Sequence, residues 1–488
     1  MEQLSGLDNL LYMSESPKIP LNLTALFIYD TATTMTGTVA FSQFSRLMNS
    51  LAEDVLPILK CKALPLPFMI DNPYWIKDEN FNIDYHLQRF ALPKPSDWTA
   101  LYEVCSRFHA RPLERDSPLW QALLIEGLDK VAGVPRGSVA VLIKIHHCVV
   151  DGGSAIKLFS ALHTWQPEPG APLISASLEL QKVDFSVPTF WQKYRNAYQR
   201  TVQTPIKLVK SVTKLSTNFM ALPAKLGREA ANVKNHTPPK TVFNKMPSAD
   251  RVVGHIRIPM KTFKNIQSTT SATLNEIALC VIAGAMRSYL SKQHELPTES
   301  LIAGMPINVR GKDEIKLQGN HISFANLSLF TDIADSKERL ERIHEKSKAK
   351  KKINSLIGRQ SMMSIINGFY PAFLNWICGQ LGNATLMEKL PVLNNTIITN
   401  VPGMPKPVYL CGAKLIDYLG FGPLVPTISL FHVISSLPSH INITFISCEN
   451  SMAHAEEYRL ALVESYEKLA AAFELAFDKT PEAGISDH

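Results

Sequence analysis

Cysteine is sparse in this sequence: its seven cysteines lie far apart along 488 residues, and none form a CxxC pair. Small secreted domains that depend on disulfides carry dense, even-numbered cysteines, so that class is excluded. The odd number and wide spacing favour reduced thiols in a cytosolic setting.

Long apolar runs are also absent. No run reaches the roughly 18 residues that a transmembrane helix needs, and the longest candidates, 274–286 and 365–381, are too short or too interrupted. The opening residues, MEQLSGLDNLLYMSE, lack the basic start of a secretion signal. We therefore expect a cytoplasmic protein that meets any membrane from its surface, with 274–286 and 365–381 forming buried helices.

Charge of either sign is modest. The net charge is +7, and hydrophobic residues make up 45% of the chain, which is typical of a well-buried globular protein. A mild positive charge suits an anionic partner. No nucleic-acid-binding motif accompanies it, so nucleic acid is not an expected partner.

A change in composition near residue 166 indicates how the chain divides. A Pro-, Gly- and Ser-rich segment at 166–177 is followed by 193–240, which has many bases and a single acid, Glu229. We predict an N-terminal domain over 1–185, a basic helical linker over 186–240 and a C-terminal domain over 241–488. The linker is either a solvated connection between domains or an amphipathic helix on anionic lipid.

Strand-like and helix-like periodicities alternate in both halves and indicate an α/β fold. The predicted strands are 21–30, 138–147, 250–259, 300–310, 319–330 and 439–447. The predicted helices are 41–60, 154–165, 273–293, 336–352 and 455–477. The two halves have a similar order of predicted strands and helices, as in a duplicated domain.

The segment KIHHCVVDGGSA, residues 144–155, carries the most specific chemistry of the chain. Side chains alternate across a strand, so His147 shares a face with Ile145, whereas His146 shares the other face with Lys144. The two adjacent histidines are therefore expected to have different roles.

A tight turn follows the histidines. Asp151, Gly152 and Gly153 form it, since glycine adopts backbone angles that other residues resist, and Ser154 caps the next helix. This places His147 beside a helix N-terminus with free N–H groups. A neutral imidazole there can take a proton from a hydroxyl that attacks an acyl carbon, while backbone donors stabilise the oxyanion.

Two other interpretations remain open from the residues alone. A histidine at a strand end is often structural. Two histidines with an aspartate four residues on also occur in metal sites, although neighbours on a strand point apart and no Cys or Glu cluster completes a ligand set. Cys148 is expected to be a buried structural thiol, because nothing marks it as activated.

A set of motifs in fixed order resembles one family. HHCVVDG at 146–152 matches the HHxxxDG motif of acyltransferases with the chloramphenicol-acetyltransferase-like fold. PLW at 118–120, GMPINVR at 304–310 and TNVPGM at 399–404 are similar to segments of the bacterial wax ester synthase/diacylglycerol acyltransferases, in the same order. The resemblance covers nearly the whole chain. It departs at Met404, where the family usually has proline.

The resemblance implies two similar α/β domains in a pseudo-twofold arrangement, with a substrate tunnel between them. His147 would be the general base and His146 its support. Asp151 would turn away from the tunnel and pair with Arg310, which would fix the loop that presents His147. The alternative for Asp151 and Arg310 is a free surface pair.

Three more residues are candidates for substrate binding: Gly152, Gly153 and Asn275. Asn275 would face the tunnel and hold the transferring group, or it would simply cap the helix that begins nearby. Trp120 of the PLW motif is expected to be a packing anchor.

The implied reaction moves a long-chain acyl group from acyl-CoA to a fatty alcohol and/or diacylglycerol, which gives wax esters and/or triacylglycerol. Acyl-CoA is a substrate, so no cofactor is expected, and no metal. A membrane or lipid-droplet surface is the remaining expected partner, with the protein peripheral on the inner membrane face or on droplets. The alternatives are a condensation-type acyltransferase with another donor or acceptor, and an inactive lipid-surface binding protein.

Overall fold

The computed structural model describes residues 2–150, 158–168, 185, 187, 189, 191–199, 237–308, 322–356, 376, 379, 389 and 391–474. Its strands are β1 (Glu2–Gln3), β2 (Asn22–Asp30), β3 (Cys61–Leu64), β4 (Tyr74–Lys77), β5 (Leu87–Ala91), β6 (Trp120–Glu126), β7 (Val139–His146), β8 (Arg251–Pro259), β9 (Ile302–Asn308), β10 (Ile322–Ser328), β11 (Thr396–Val401), β12 (Tyr409–Leu410), β13 (Ala413–Phe421), β14 (Leu430–Ser436) and β15 (His440–Cys448). Its helices are α1 (Gly6–Ser14), α2 (Phe41–Ser50), α3 (Trp98–Ala110), α4 (Met260–Thr270), α5 (Leu274–Lys292), α6 (Ser336–Leu356) and α7 (Ala455–Ala472). Residues 158–162 and 191–199 are also helical.

Two six-stranded sheets organise these elements. The N-sheet has the order β12-β13-β2-β7-β6-β5, and the C-sheet has the order β10-β9-β11-β14-β15-β8. A small sheet, β1-β4-β3, accompanies the N-sheet. Strand β7, which ends in the histidine motif, lies between β2 and β6 and is antiparallel to both.

The predicted strands and most of the predicted helices are present with ends shifted by a few residues. The predicted helix 41–60 is the main exception. It is α-helical only over Phe41–Ser50, and it continues as a π turn at Leu51–Val55 and a 3-10 turn that begins with Pro57. Proline at 57 accounts for the end of the π turn at Leu56, because it lacks an N–H for the helical hydrogen bonds and disfavours helical angles at the residue before it.

The N-sheet contains two strands from the far end of the chain, β12 and β13. Strand β13 pairs antiparallel with β2, from Lys414 opposite Asp30 to Phe421 opposite Thr24. Residues 409–421 therefore complete the sheet that is otherwise built from the first 146 residues. The domain boundaries at 185 and 240 stay predictions, and this strand exchange was not anticipated by them.

A shared hydrophobic core holds the two sheets together. Leu26, Ala140 and Leu142 of the N-sheet pack in one cluster with Val253 and Phe431 of the C-sheet. Side chains at odd positions of β7 belong to a second cluster on the opposite face, as the alternation of a strand requires.

Helix α5 is the central helix behind the C-sheet. It is buried along most of its length, which confirms the prediction of a buried helix at 274–286. The second predicted buried helix, 365–381, lies outside the described residues except for 376 and 379. Among the described residues no single helix is long and apolar enough to span a membrane; α4 and α5 reach that measure only together, and a bend of 104° separates them.

Candidate active site

The two histidines of the motif lie in different environments. His146 is the last residue of β7 and is fully buried, whereas His147 follows the strand and is partly exposed. The backbone N–H of His147 donates to the carbonyl of Leu21 at 2.8 Å, and that of Val149 donates to the carbonyl of His146 at 3.0 Å. The strand thus ends in a turn that begins at His146, which brings the His147 ring to the end of the sheet.

His146 shapes this turn with its own side chain. Its Nδ1 accepts a hydrogen bond from the backbone N–H of Cys148 at 3.1 Å, so the proton of the neutral ring is on Nε2. Burial, together with the neighbouring His147 and Arg115, lowers the pKa of His146 to about 3. The imidazole of His146 is therefore neutral near pH 7 and serves as a structural acceptor.

Glu15 connects both histidines to the N-terminal segment. Its Oε1 lies 3.6 Å from His146 Nε2 and accepts from the backbone N–H of Leu21 at 3.4 Å. Leu21 in turn accepts the backbone hydrogen bond of His147. Burial raises the pKa of Glu15 above its ordinary value, although the nearby Arg115 partly opposes the rise. No motif in the sequence points to Glu15.

Arg115 is the cation of this group. Its Nη2 lies 3.6 Å from Glu15 Oε2 and donates to the carbonyl of Tyr12 at 2.8 Å. The guanidinium also lies 4.6 Å from the centre of the Tyr12 ring, a cation–π distance. Arg115 lies three residues before the PLW motif, and that position was the only sequence signal for it.

Lys144 anchors the motif strand to α3. Its buried Nζ donates to the carbonyls of Phe108 at 3.0 Å and Arg111 at 2.9 Å, near the C-terminal end of that helix. Asn22 on the neighbouring strand donates to the carbonyls of His109 and Arg111. A cation at a helix C-terminus is favourable, but burial still lowers the pKa of Lys144 to about 7.

The backbone donors of the turn are already in use. The N–H groups of His147, Cys148 and Val149 donate to the Leu21 carbonyl, the His146 ring and the His146 carbonyl. The oxyanion donors predicted near this turn are therefore not these three groups. Asp151, Gly152, Gly153 and Arg310 lie outside the described residues, so their roles stay predictions.

Local geometry tests one of the two predictions made for Asn275. Asn275 does not cap α5, because Thr273 occupies the cap and accepts from the N–H of Glu276. Asn275 is the second residue of the helix, and its buried Oδ1 has no hydrogen-bond donor among the described residues. Its predicted contact with the transferring group stays a prediction.

The two remaining side chains behave as predicted. Trp120 is 1% exposed, donates to the Leu59 carbonyl at 2.8 Å and stacks on His86, which confirms a packing anchor. Cys148 is buried, and burial raises the pKa of its thiol well above its ordinary value, which confirms a structural role. No group of three or more His, Cys, Asp or Glu in the described part of the chain is arranged to hold a metal ion.

A cavity of about 350 Å³ lies between the N-sheet and the turn that joins β14 to β15. Its wall includes Gly403 and Met404 of the TNVPGM motif and Phe159 of the helical segment after the histidine motif. His146 and His147 do not line it. The continuous tunnel expected between the domains therefore stays a prediction.

The fold places the chain in a class of two-domain α/β structures. The wax ester synthase/diacylglycerol acyltransferase from Marinobacter aquaeolei is similar to it with a TM-score of 0.67 and 19% identity, over 97% of this chain and 100% of that one. The first condensation domain of the calcium-dependent antibiotic synthetase is similar with a TM-score of 0.57 and 14% identity, over 96% and 95% of the two chains. These likenesses confirm the predicted α/β fold class.

The sequence identifies the family within this class. The wax ester synthase/diacylglycerol acyltransferase catalytic domain matches residues 4–278, and the C-terminal domain of the same family matches residues 318–470. The chain belongs to this family and is an acyltransferase.

Two relatives match over nearly full length. A Mycobacterium tuberculosis protein with the provisional name diacylglycerol O-acyltransferase is 28% identical over 92% of this chain and 86% of its own. The O-acyltransferase WSD of Acinetobacter baylyi is 24% identical over 95% of this chain and 96% of its own.

Proposed function

We propose that this chain transfers a long-chain acyl group from acyl-CoA to the hydroxyl of a fatty alcohol or diacylglycerol, with His147 as the general base. Family membership supports the reaction class. The observation that carries the choice of base is the contrast between the adjacent histidines. His146 is buried and already accepts a backbone hydrogen bond, whereas His147 is partly exposed at the end of the central strand.

In the proposed reaction His147 removes the proton of the acceptor hydroxyl while the hydroxyl oxygen attacks the thioester carbon. A tetrahedral oxyanion forms and collapses, which breaks the carbon–sulfur bond. The imidazolium of His147 then returns the proton to the leaving thiolate. The products are the ester and free coenzyme A, and no covalent enzyme intermediate is needed because a thioester is already activated.

The assignment of the base is tested by coenzyme A release from palmitoyl-CoA and hexadecanol. We expect His147→Ala to lower kcat by about 100-fold or more, the scale of lost general-base catalysis. Added imidazole should restore part of the rate. His294→Ala is the matched control, since His294 is exposed beyond the end of α5, and it should keep wild-type activity.

A folded His147→Ala protein with normal turnover would exclude His147 as the base. A wild-type protein that releases no coenzyme A with any alcohol would favour the alternatives, a condensation-type enzyme with another acceptor or a lipid-binding protein. Product analysis with hexadecanol and diacylglycerol in competition then tells which ester dominates.

We further propose that the enzyme works at a lipid surface, since its acceptors are poorly soluble. The helical segment 191–199 supports this. Trp191 and Tyr198 are 79% and 71% exposed, and they lie seven residues apart on one helix face with the less exposed Tyr194 between them. Arg195 is exposed next to them. Aromatic and basic side chains on one outward face are typical of a helix at a lipid interface.

Vesicle flotation tests this surface. Wild-type protein should float with phosphatidylglycerol-containing vesicles, and the double variant Trp191→Ala/Tyr198→Ala should float much less. Tyr85→Ala removes an aromatic side chain of similar exposure, 75%, elsewhere and should float like the wild type. Equal flotation of all three proteins would contradict this docking surface.

A further inference from the structure

The cavity between the sheets has several basic residues in its wall. Its bases come from three separate elements: Arg257 from β8, Lys406 from the loop after β11 and Lys414 from the start of β13. No carboxylate is among its lining residues, and Ser436, Ser439 and His440 add further polar groups. The cavity is therefore an electropositive space.

Two of these bases have no acidic partner. Arg257 forms an ion pair with Asp417, but the ammonium groups of Lys406 and Lys414 form no ion pair or hydrogen bond within the described residues. Asp30 lies opposite Lys414 in the strand pairing, but the two side chains form no ion pair, and Asp30 Oδ1 accepts from the N–H of Ala32 at 2.9 Å. Two unpaired ammonium groups at one cavity favour an anionic ligand.

The rest of the wall is apolar. It includes Phe159, Met404, Val408, Leu415 and Leu437. A ligand that matches both parts carries anionic groups together with a less polar arm. The volume of about 350 Å³ is within the range of small-molecule sites, and it suits one end of a long acyl donor rather than the whole molecule.

The backbone holds the bases in fixed positions. The turn between β12 and β13 has positive φ angles at Cys411 (48°) and Gly412 (88°), the conformation of a tight hairpin, and this sets the position of Lys414. Gly403 lies so close to β14 that an added Cβ would be 1.6 Å from the carbonyl oxygen of Ser436. This contact fixes the loop that bears Lys406.

We propose that this cavity binds the phosphate groups of acyl-CoA, with Lys406 and Lys414 as the anion ligands and Arg257 as a third charge held by Asp417. The proposal rests on the proposed function, which supplies acyl-CoA as the donor. Lysine ammonium groups bind phosphate groups as point charges. A phospholipid headgroup offers the same chemistry, and the experiment separates the two sources.

The test uses the full chain and the variants Lys406→Glu, Lys414→Glu and their combination. With palmitoyl-CoA as the varied substrate, the double variant should raise KM at least tenfold and change kcat by less than threefold. The KM of the wild type should rise with salt more steeply than that of the double variant. Lys348→Glu on α6 makes the same change of charge at an exposed lysine and should leave KM unchanged.

Direct binding distinguishes the ligand from the reaction. Calorimetry with free coenzyme A should show at least tenfold weaker binding to the double variant, and 3′-dephospho-coenzyme A should bind the wild type more weakly than coenzyme A does. Unchanged coenzyme A affinity, with loss of flotation on phosphatidylglycerol vesicles, would assign the lysines to a lipid headgroup and overturn the proposal. So would an unchanged KM in an active enzyme. Lysine-dependent coenzyme A binding without any acyl transfer would keep the site and refute the proposed function.

Discussion

Asp417 connects the two sheets through a buried carboxylate. It lies on β13 of the N-sheet and is fully buried, and its charge is paired with Arg257 of β8 in the C-sheet. His440 Nε2 lies 3.1 Å from its Oδ1, and Asn442 Nδ2 donates to the same oxygen at 2.5 Å. Burial opposes ionisation, but the His440 hydrogen bond and the Arg257 charge outweigh it and hold the pKa of Asp417 well below its ordinary range.

This geometry gives a magnitude for Asp417→Asn. Removal of one partner from a buried ion pair costs about 3–5 kcal/mol, because the other charge stays buried without compensation. Arg257 keeps 22% exposure, so water compensates part of the loss and the lower end of that range applies. We expect Asp417→Asn to lower the free energy of unfolding by about 3 kcal/mol.

Urea-induced unfolding, followed by circular dichroism, measures this change. Glu126→Gln is the matched control, because Glu126 also receives a two-pronged contact from an arginine, Arg89, but at the exposed edge of the N-sheet. Exposed ion pairs contribute little, so the control should change the unfolding free energy far less. The double variant Arg257→Met/Asp417→Asn removes both charges and should be more stable than the sum of the single effects predicts.

Unfolding of Asp417→Asn at the same urea concentration as the wild type would refute a stabilising role of this carboxylate. Simply additive effects of Arg257→Met and Asp417→Asn would also contradict it, because the two side chains would then not be coupled. In either case the shared hydrophobic cluster, and not this carboxylate, would account for the contact between the sheets.

Two other substitutions test specific contacts. Gly403→Ala should lower both activity and melting temperature, because its Cβ would overlap the Ser436 carbonyl. Gly379→Ala is the control, and it should lower neither, because no atom lies within 4 Å of its new Cβ. Equal behaviour of the two variants would contradict the close approach of Gly403 to β14. Burial lowers the pKa of His432 from 6.5 to about 3, so folding favours the neutral ring. The contribution of His432 to the free energy of unfolding is therefore complete above about pH 6.5 and is lost as the pH falls toward 3. At pH 5 this loss is about 2 kcal/mol. The free energy of unfolding should therefore drop less between pH 7.5 and pH 5 in His432→Asn than in the wild type, by about that amount. An identical drop in both proteins would refute this role of His432.

Local pattern predicted several of the long elements because their sequence periods match their burial. Helix α5 is the clearest example, with its apolar residues buried against the C-sheet and α7, and strand β7 alternates between two core clusters as expected. The break of the 41–60 helix was readable from Pro57, whose effect on helices is known.

Long-range contacts were not predictable in the same way. Strand β13 joins the N-sheet across almost 400 residues, and nothing in its own alternation tells which sheet it completes. Glu15 and Arg115 lie about 100 residues apart and meet only around His146. Contacts of this kind depend on topology, which a single sequence pattern does not encode.

The histidine motif shows how neighbouring residues acquire different chemistry. Because strand side chains alternate, His146 is directed into the protein, where the Cys148 N–H fixes its ring near Glu15, and His147 is left at the end of the sheet. The N–H groups of residues 147–149 are used to shape this turn. Any backbone donor for the oxyanion must therefore come from beyond Val149 or from another segment. In the proposed mechanism the motif thus separates positioning, which residues 146–149 perform, from stabilisation of the charged intermediate.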